Sequence, residues 1–132
     1  TMFFGMIDPT SGTLTYVNGG HNPPMLIAPD GRIKEQLTLT GPAVGMMPEM
    51  DFGLSQTRLE RGDTLLCYTD GLTEAHSKSG DFFGENRVTE IIQAQAGRSA
   101  GELVATLKTE VFDHMKNAAQ FDDITILALQ RS

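Results

Sequence analysis

The sequence predicts an α+β domain built on mainly antiparallel sheet. Short apolar runs separated by Gly and Pro fill the first half of the chain, which is typical of strands joined by turns. The apolar spacing changes to a helical period near residue 86, and one more strand-like run follows at the end. Strands followed by helices indicate a mainly antiparallel sheet arrangement. A dinucleotide-binding fold is unsupported, since no G-x-G-x-x-G loop or βαβ rhythm is present.

The first strands are predicted as two hairpins and two further strands. Residues 2–18 are predicted to form a hairpin around a turn at 8–12 that contains Pro and Gly. Residues 25–39 form a second hairpin around a Pro-Asp-Gly turn. Strands at 52–59 and 64–69 follow, separated by the turn at Glu60-Arg61-Gly62-Asp63.

Two helices and a last strand complete the prediction. Val88, Ile91 and Ile92 have helical spacing within 86–95. Ser99 and Glu102 match a capping box that begins a second helix. The apolar run at 121–130 predicts the last strand.

Two loops leave alternatives open. Met46, Met47 and Met50 are expected to fill a gap in the core, and a partner surface is the alternative. The polar segment 76–80 is expected to be a solvent-exposed connector, with a mobile flap as the alternative.

Length, charge and cysteine content exclude several classes of protein. The 132 residues suit one domain, and the net charge of -7 argues against nucleic acid and against an anionic membrane surface. Cys67 is the single cysteine, which rules out an internal disulfide, and we expect it to be a small buried hydrophobe. With no signal peptide and no apolar run of about 20 residues, we expect a cytoplasmic protein or a cytoplasmic part of a larger one.

Two acidic segments lie at the ends of strands that are apolar on both faces. Asp70 and Gly71 follow the strand at 64–69, and Asp122 and Asp123 precede the last strand. An ionised carboxylate at such a position needs a partner, and a hard divalent cation is one. A plain Asp-Gly turn is the alternative for the first segment, and a solvated acidic pair is the alternative for the second.

If these two strands are neighbours in one sheet, Asp70 and Asp122 face each other. Two metal ions about 3.5–4 Å apart could then activate water for attack on a phosphate. The residues alone name no substrate. An unrelated antiparallel domain with chance Asp-Gly and Asp-Asp turns is the competing reading, and it places Asp70 far from Asp122.

Three motifs resemble the RsbU/SpoIIE branch of the metal-dependent protein phosphatase (PPM) family. Residues 68–75 (YTDGLTEA) are similar to its second metal-binding motif, and residues 122–125 (DDIT) to its last acidic motif. Residues 16–24 (YVNGGHNPP) resemble its histidine loop. The three occur in the family's order, and the similarity covers essentially the whole chain.

The resemblance implies a protein serine/threonine phosphatase with an α+β fold, an antiparallel β-sandwich of two sheets flanked by helices, and with bound Mn²⁺ or Mg²⁺. Water bound to the metals would hydrolyse phosphoserine or phosphothreonine. Asp70 and Asp122 would be metal ligands and catalytic residues, and Asp123 would share the metal. The candidates adjacent to the metal are Gly71, His21 and Asn18.

The histidines have different expectations. His21 either orients water or phosphate or, as the favoured alternative, holds its own loop by hydrogen bonds to backbone. His76 and His114 have no motif around them and are expected on the surface or on a helix face.

The family's first metal-binding motif, aspartate-(any)-serine-glycine-(any)-glycine, is absent from these residues. We therefore expect residues 1–132 to be a single domain, the N-terminally truncated C-terminal portion of the phosphatase domain, with half a metal site and little activity. A catalytically silent binding or regulatory module is the alternative.

The resemblance also implies partners. The substrate would be a phosphorylated protein, such as a STAS-type anti-sigma-factor antagonist, and an upstream sensor or receiver domain would belong to the parent chain. An exposed sheet edge would permit a homodimer.

Overall fold

The computed structural model describes residues 1–46, 48–116 and 118–132. Its strands are Met2–Ile7 (β1), Thr13–Gly19 (β2), Met25–Ile27 (β3), Ile33–Gln36 (β4), Ser55–Arg58 (β5), Thr64–Tyr68 (β6) and Ile126–Gln130 (β7). Its helices are Asp70–Thr73 (α1), Gly84–Ala94 (α2) and Ala100–Met115 (α3). The predicted order of strands, two long helices and a final strand is confirmed.

The strands form two antiparallel sheets. One has the order β1-β2-β5 and the other β4-β3-β6-β7. Both predicted hairpins are present, because β1 pairs with β2 and β3 pairs with β4. The predicted α+β class with antiparallel sheets is therefore confirmed.

Two apolar layers lie on opposite faces of the second sheet. Leu14, Tyr16, Leu26 and Leu65 belong to the layer between the sheets. Leu66, fully buried at 0% exposure, belongs to the layer that packs against the helices. Successive strand residues point to opposite faces, so β6 is buried on both sides, as its apolar composition predicts.

The long helices cover the face of the second sheet opposite the first sheet. Ser99 and Glu102 make both hydrogen bonds of the predicted capping box at the start of α3. This helix buries one stripe of apolar side chains, namely Leu103, Leu107, Val111 and Met115. Within the residues described, no helix combines the length and the hydropathy needed to cross a membrane.

The last strand is shorter than predicted and lies at a sheet edge. β7 begins at Ile126 rather than at residue 121. Its neighbour on one side is β6, and the side chains of Leu127 and Leu129 are 54% and 38% exposed. Although its residues are apolar on both faces, β7 is therefore an edge strand with partly exposed side chains. β5 is likewise shorter than the predicted 52–59.

The methionine loop does not fill the core. Met46 is 70% exposed and Met50 is 37% exposed, so the core-filling prediction is wrong for these two side chains. Met47 lies outside the described residues.

Candidate functional site

Pairing of β6 with β7 brings the two acidic segments to one edge of the second sheet. Tyr68 at the end of β6 is opposite Ile126 at the start of β7. Asp70 follows the first strand closely, and Asp122 and Asp123 shortly precede the second. The hypothesis that the two strands are neighbours is confirmed.

Thr69 fastens the two segments together. Its hydroxyl donates a hydrogen bond to the carbonyl of Asp123 at 3.0 Å and accepts one from the Thr125 amide at 3.0 Å. The Thr69 amide donates to the Thr125 carbonyl at 3.1 Å. One side chain thus fixes the backbone on both sides of Ile124, directly after the acidic pair. The sequence interpretation missed this role, although a threonine directly before a strand-end aspartate was visible.

Gly71 lets the acidic backbone approach α1 closely. A Cβ at this position would lie 2.4 Å from the Asp123 carbonyl oxygen, closer than real Cβ contacts. Asp70 is the first residue of α1, and its Oδ1 accepts a hydrogen bond from the Gly71 amide at 3.0 Å. The segment after β6 therefore forms the short helix α1, with Asp70 and Gly71 as its first two residues.

The three carboxylates are exposed at this edge. Asp122 Oδ1 accepts a hydrogen bond from the Asp123 amide at 2.7 Å. In the described part of the chain, the Lys–Asp, Arg–Asp and Arg–Glu ion pairs all involve carboxylates other than Asp70, Asp122 and Asp123. The edge thus offers oxygen donors of the kind that hard cations prefer.

The donor set is nevertheless small. Within residues 1–46, 48–116 and 118–132, no group of three or more His, Cys, Asp or Glu side chains could together hold a metal ion. The two acidic segments fit a cation as part of its coordination shell, with water or further ligands supplying the remainder.

Asn18 and His21 come from the loop after β2. Asn18 is fully buried, and its amide donates to the Leu37 carbonyl at 3.1 Å and accepts from the His21 amide at 2.9 Å. Its side chain therefore serves to hold this loop. The half-buried His21 lines a cavity of about 540 Å³ together with Thr69 and Thr125, on the side of the acidic edge.

This cavity lies between the two sheets, and its lining includes Phe3 and Ile7 of β1 and Leu127 of β7. Cys67 also lines it. Burial raises the pKa of the Cys67 thiol to about 11, so the thiol is neutral at pH 7 and is a poor nucleophile. Cys67 is partly rather than fully buried, and it packs with apolar neighbours as expected of a small hydrophobe.

A second cavity, of about 360 Å³, lies beside Gly71 and Asp122. His76 and Phe121 are among its lining residues. His76 was expected on the surface, yet its ring packs between Phe82 and Phe121. His114, expected on a helix face, hydrogen-bonds through Nε2 to the Asp81 carbonyl at 2.9 Å.

Solved structures share this architecture. The SiaA-PP2C domain of Pseudomonas aeruginosa matches with a TM-score of 0.75 and 23% identity, over 91% of this chain and 47% of that chain. The RsbU and RsbW domains of a Mycobacterium tuberculosis protein match with a TM-score of 0.71 and 29% identity, over 98% of this chain and 36% of that chain. The fold is that of PP2C-type phosphatase domains.

The profile described as Stage II sporulation protein E (SpoIIE) matches residues 1–132, and the chain belongs to this family of RsbU/SpoIIE-like metal-dependent protein phosphatases. Protein IcfG of Synechocystis is 41% identical over 132 residues, which are 100% of this chain and 20% of that protein. Phosphoserine phosphatase RsbU of Bacillus subtilis is 25% identical over 99% of this chain and 38% of its own length. The chain thus spans well under half of these relatives, and the predicted family is confirmed.

Proposed function

We propose that this chain is the C-terminal portion of a protein serine/threonine phosphatase domain that hydrolyses phosphoserine and phosphothreonine. The observation that carries the proposal is the junction of the Asp70 and Asp122 segments through Thr69 at one sheet edge. Support also comes from RsbU and RsbP of Bacillus subtilis, which are both named phosphoserine phosphatases.

In this proposal Asp70 and Asp122 hold divalent cations, and Asp123 shares them. Two Mn²⁺ or Mg²⁺ ions, when bound, would supply Lewis acidity and an activated water for attack on phosphorus. Thr69 holds the Asp123 backbone in place beside β6. His21, on the rim of the neighbouring cavity, is proposed to orient the phosphate or water; holding its own loop remains the alternative role.

We further propose that residues 1–132 alone bind Mn²⁺ weakly and hydrolyse phosphate esters slowly. The support is the small donor set of the described residues. The chain also matches only 47% of the SiaA-PP2C chain, which leaves room for further ligands elsewhere in such a domain.

The experiment compares this chain with the protein expressed together with any sequence that precedes it in its gene. Hydrolysis of p-nitrophenyl phosphate and of a phosphoserine peptide is measured with Mn²⁺, with Mg²⁺ and with EDTA. Asp70→Asn and Asp122→Asn are each expected to lower kcat/KM by more than about 100-fold, because each removes a metal ligand. Asp113→Asn, at an exposed position on α3, is the matched control and should retain activity. Full activity of either site variant would contradict the proposal.

A catalytically silent phosphatase-like binding or regulatory module is the second candidate. The same small donor set favours it. It predicts that the longer protein binds a phosphoprotein but releases no phosphate, whatever the metal.

The proposed substrate is a phosphorylated protein of the STAS-type anti-sigma-factor-antagonist class. For the parent chain of this protein we propose an upstream sensor or receiver domain and a cytoplasmic location. The relatives RsbU and RsbP of Bacillus subtilis, both named phosphoserine phosphatases, support a phosphorylated substrate, and a role in bacterial signalling is part of the proposal. A homodimer through the edge of β1, which pairs with β2 on one side, is also proposed. Light scattering that shows a monomer at high concentration would contradict the dimer.

A further inference from the structure

The second cavity is continuous with the candidate site. Its volume is about 360 Å³, within the range of sites that bind small groups. Gly71 and Asp122 line it, and both belong to the acidic edge. Apolar groups contribute much of the remaining wall, namely Ala75, Met115, Phe121 and Ile124.

An exposed aromatic cluster lies at the outer side of the cavity: His76 and Phe121 line it, and Phe82 packs against His76 from outside. The His76 ring lies 4.6 Å from the Phe82 ring and 5.6 Å from the Phe121 ring, measured between centroids. Phe82 is 60% exposed and Phe121 is 89% exposed. Single exposed apolar residues are ordinary, but a cluster beside a cavity is typical of an interaction site.

The segment that carries this cluster is well anchored. His76 and Phe82 form an antiparallel bridge, and the Phe83 amide donates to the Ala75 carbonyl at 2.9 Å. Phe83 is buried at 6% exposure, and His114 contacts the Asp81 carbonyl. The base of this hairpin is therefore held against α3, and residues 78–80 at its tip are exposed, as expected of a solvent-exposed connector.

One ring nitrogen of His76, Nδ1, is buried without a hydrogen-bond partner. A buried polar group left unpaired costs about 1–3 kcal/mol. A bound chain that offers this atom a backbone amide or carbonyl would remove this cost.

We propose that this cavity binds the residue next to the phosphorylated residue of the protein substrate, and that it selects an apolar side chain. The inference rests on the proposed function, because it places the phosphate at the acidic edge. Gly71 and Asp122 belong to both the cavity lining and that edge, so the part of the peptide nearest the phosphorylated residue would reach the cavity first. The exposed carboxylates of Glu74 and Asp122 disfavour an acidic side chain there.

The test uses the protein with any preceding sequence from its gene and two phosphoserine peptides. The peptides differ only in the two neighbours of phosphoserine, which are both Leu in one and both Glu in the other. p-Nitrophenyl phosphate, which has no neighbouring residue, reports on the chemistry alone. The variants are Phe121→Ala and Phe82→Ala, and Phe112→Ala is the control, since Phe112 is 47% exposed on α3 and lies outside this cavity.

The unmodified protein is expected to prefer the Leu peptide by about 10-fold or more in kcat/KM, the effect of an apolar side chain in a fitted pocket. Phe121→Ala and Phe82→Ala should reduce this preference to about twofold through KM. For both variants, kcat/KM for p-nitrophenyl phosphate should stay within about twofold of the value for the unmodified protein. Phe112→Ala should have the same kcat/KM values as the unmodified protein for all three esters.

The remaining outcomes separate the two proposals. Hydrolysis without a preference for Leu, or equal losses on the peptides and on p-nitrophenyl phosphate, overturns the pocket and leaves the phosphatase intact. Failure to hydrolyse any of the three esters overturns the proposed function, and the pocket with it.

Discussion

Replacing Gly71 by alanine tests whether backbone contact holds the acidic edge together. The new Cβ would lie 2.4 Å from the Asp123 carbonyl oxygen and 3.0 Å from its carbonyl carbon. Both atoms belong to the backbone, so the clash cannot be relieved by rotating a side chain. We expect the segment that carries Asp122 and Asp123 to move away from α1.

The magnitude follows from two effects. Forcing an extra carbon into a packed region costs about 1–3 kcal/mol. Moving the Asp123 carbonyl also weakens its hydrogen bond from Thr69, which adds about 0.5–1.5 kcal/mol. The free energy of unfolding should therefore fall by about 2–4 kcal/mol.

Urea denaturation followed by circular dichroism measures this change. With a slope of about 1–3 kcal/mol per molar urea, the midpoint should fall by about 1–2 M. Gly101→Ala is the matched control, because nothing lies within 4 Å of a Cβ at this position in α3. That variant should gain about 0.5–1 kcal/mol from helix propensity. A Gly71→Ala variant within about 0.5 kcal/mol of the unmodified protein would show that the close approach does not constrain the edge.

Two further predictions concern buried groups. Asn18→Ala leaves the Leu37 carbonyl without its hydrogen-bond donor and should lower the free energy of unfolding by about 2–4 kcal/mol. Differential scanning calorimetry would record this as a fall of about 10 °C in Tm. A fall below about 3 °C argues against the role of Asn18 in holding the loop. Burial raises the pKa of Cys67 from 9.0 to about 11, and burial with the charge of Glu85 raises the pKa of Tyr68 from 10.0 to about 12. The folded protein keeps these protons to higher pH than the unfolded chain does. The contribution of the two groups to the free energy of unfolding is therefore fully present below pH 9 and is lost as the pH rises from about 9 to 12. Urea midpoints of the unmodified protein and of Cys67→Ala should converge between pH 9 and 11, and parallel curves would contradict the assigned burial.

The elements that the sequence predicted well are those with a local signal. Ser99 and Glu102 define the start of α3 within one turn, and the apolar composition of β6 indicates a strand buried on both faces. The start and the edge position of β7 were not predicted, for the opposite reason. Its apolar residues look like those of a central strand, but Leu127 faces an open cavity at the sheet edge, and edge position depends on distant parts of the chain.

The candidate site shows the same division. Asp70 and Asp122 stood out as carboxylates at strand ends, and pairing of the strands brings their segments together. The role of Thr69 escaped notice, since its hydrogen bonds reach residues more than 50 positions away in the chain. The aromatic cluster at Phe121 was also missed, because no spacing rule relates it to His76.

The distance along the chain between the two halves of the acidic edge affects how the protein folds during synthesis. Thr69 and Asp123 are 54 positions apart, and both long helices are made between them. β6 therefore leaves the ribosome well before β7, with which it pairs on one side. Such non-local pairing is slow. A nascent chain has no assembled carboxylate edge until α2 and α3 have been made. Any ion that needs both halves would bind only the completed fold and would stabilise it against unfolding.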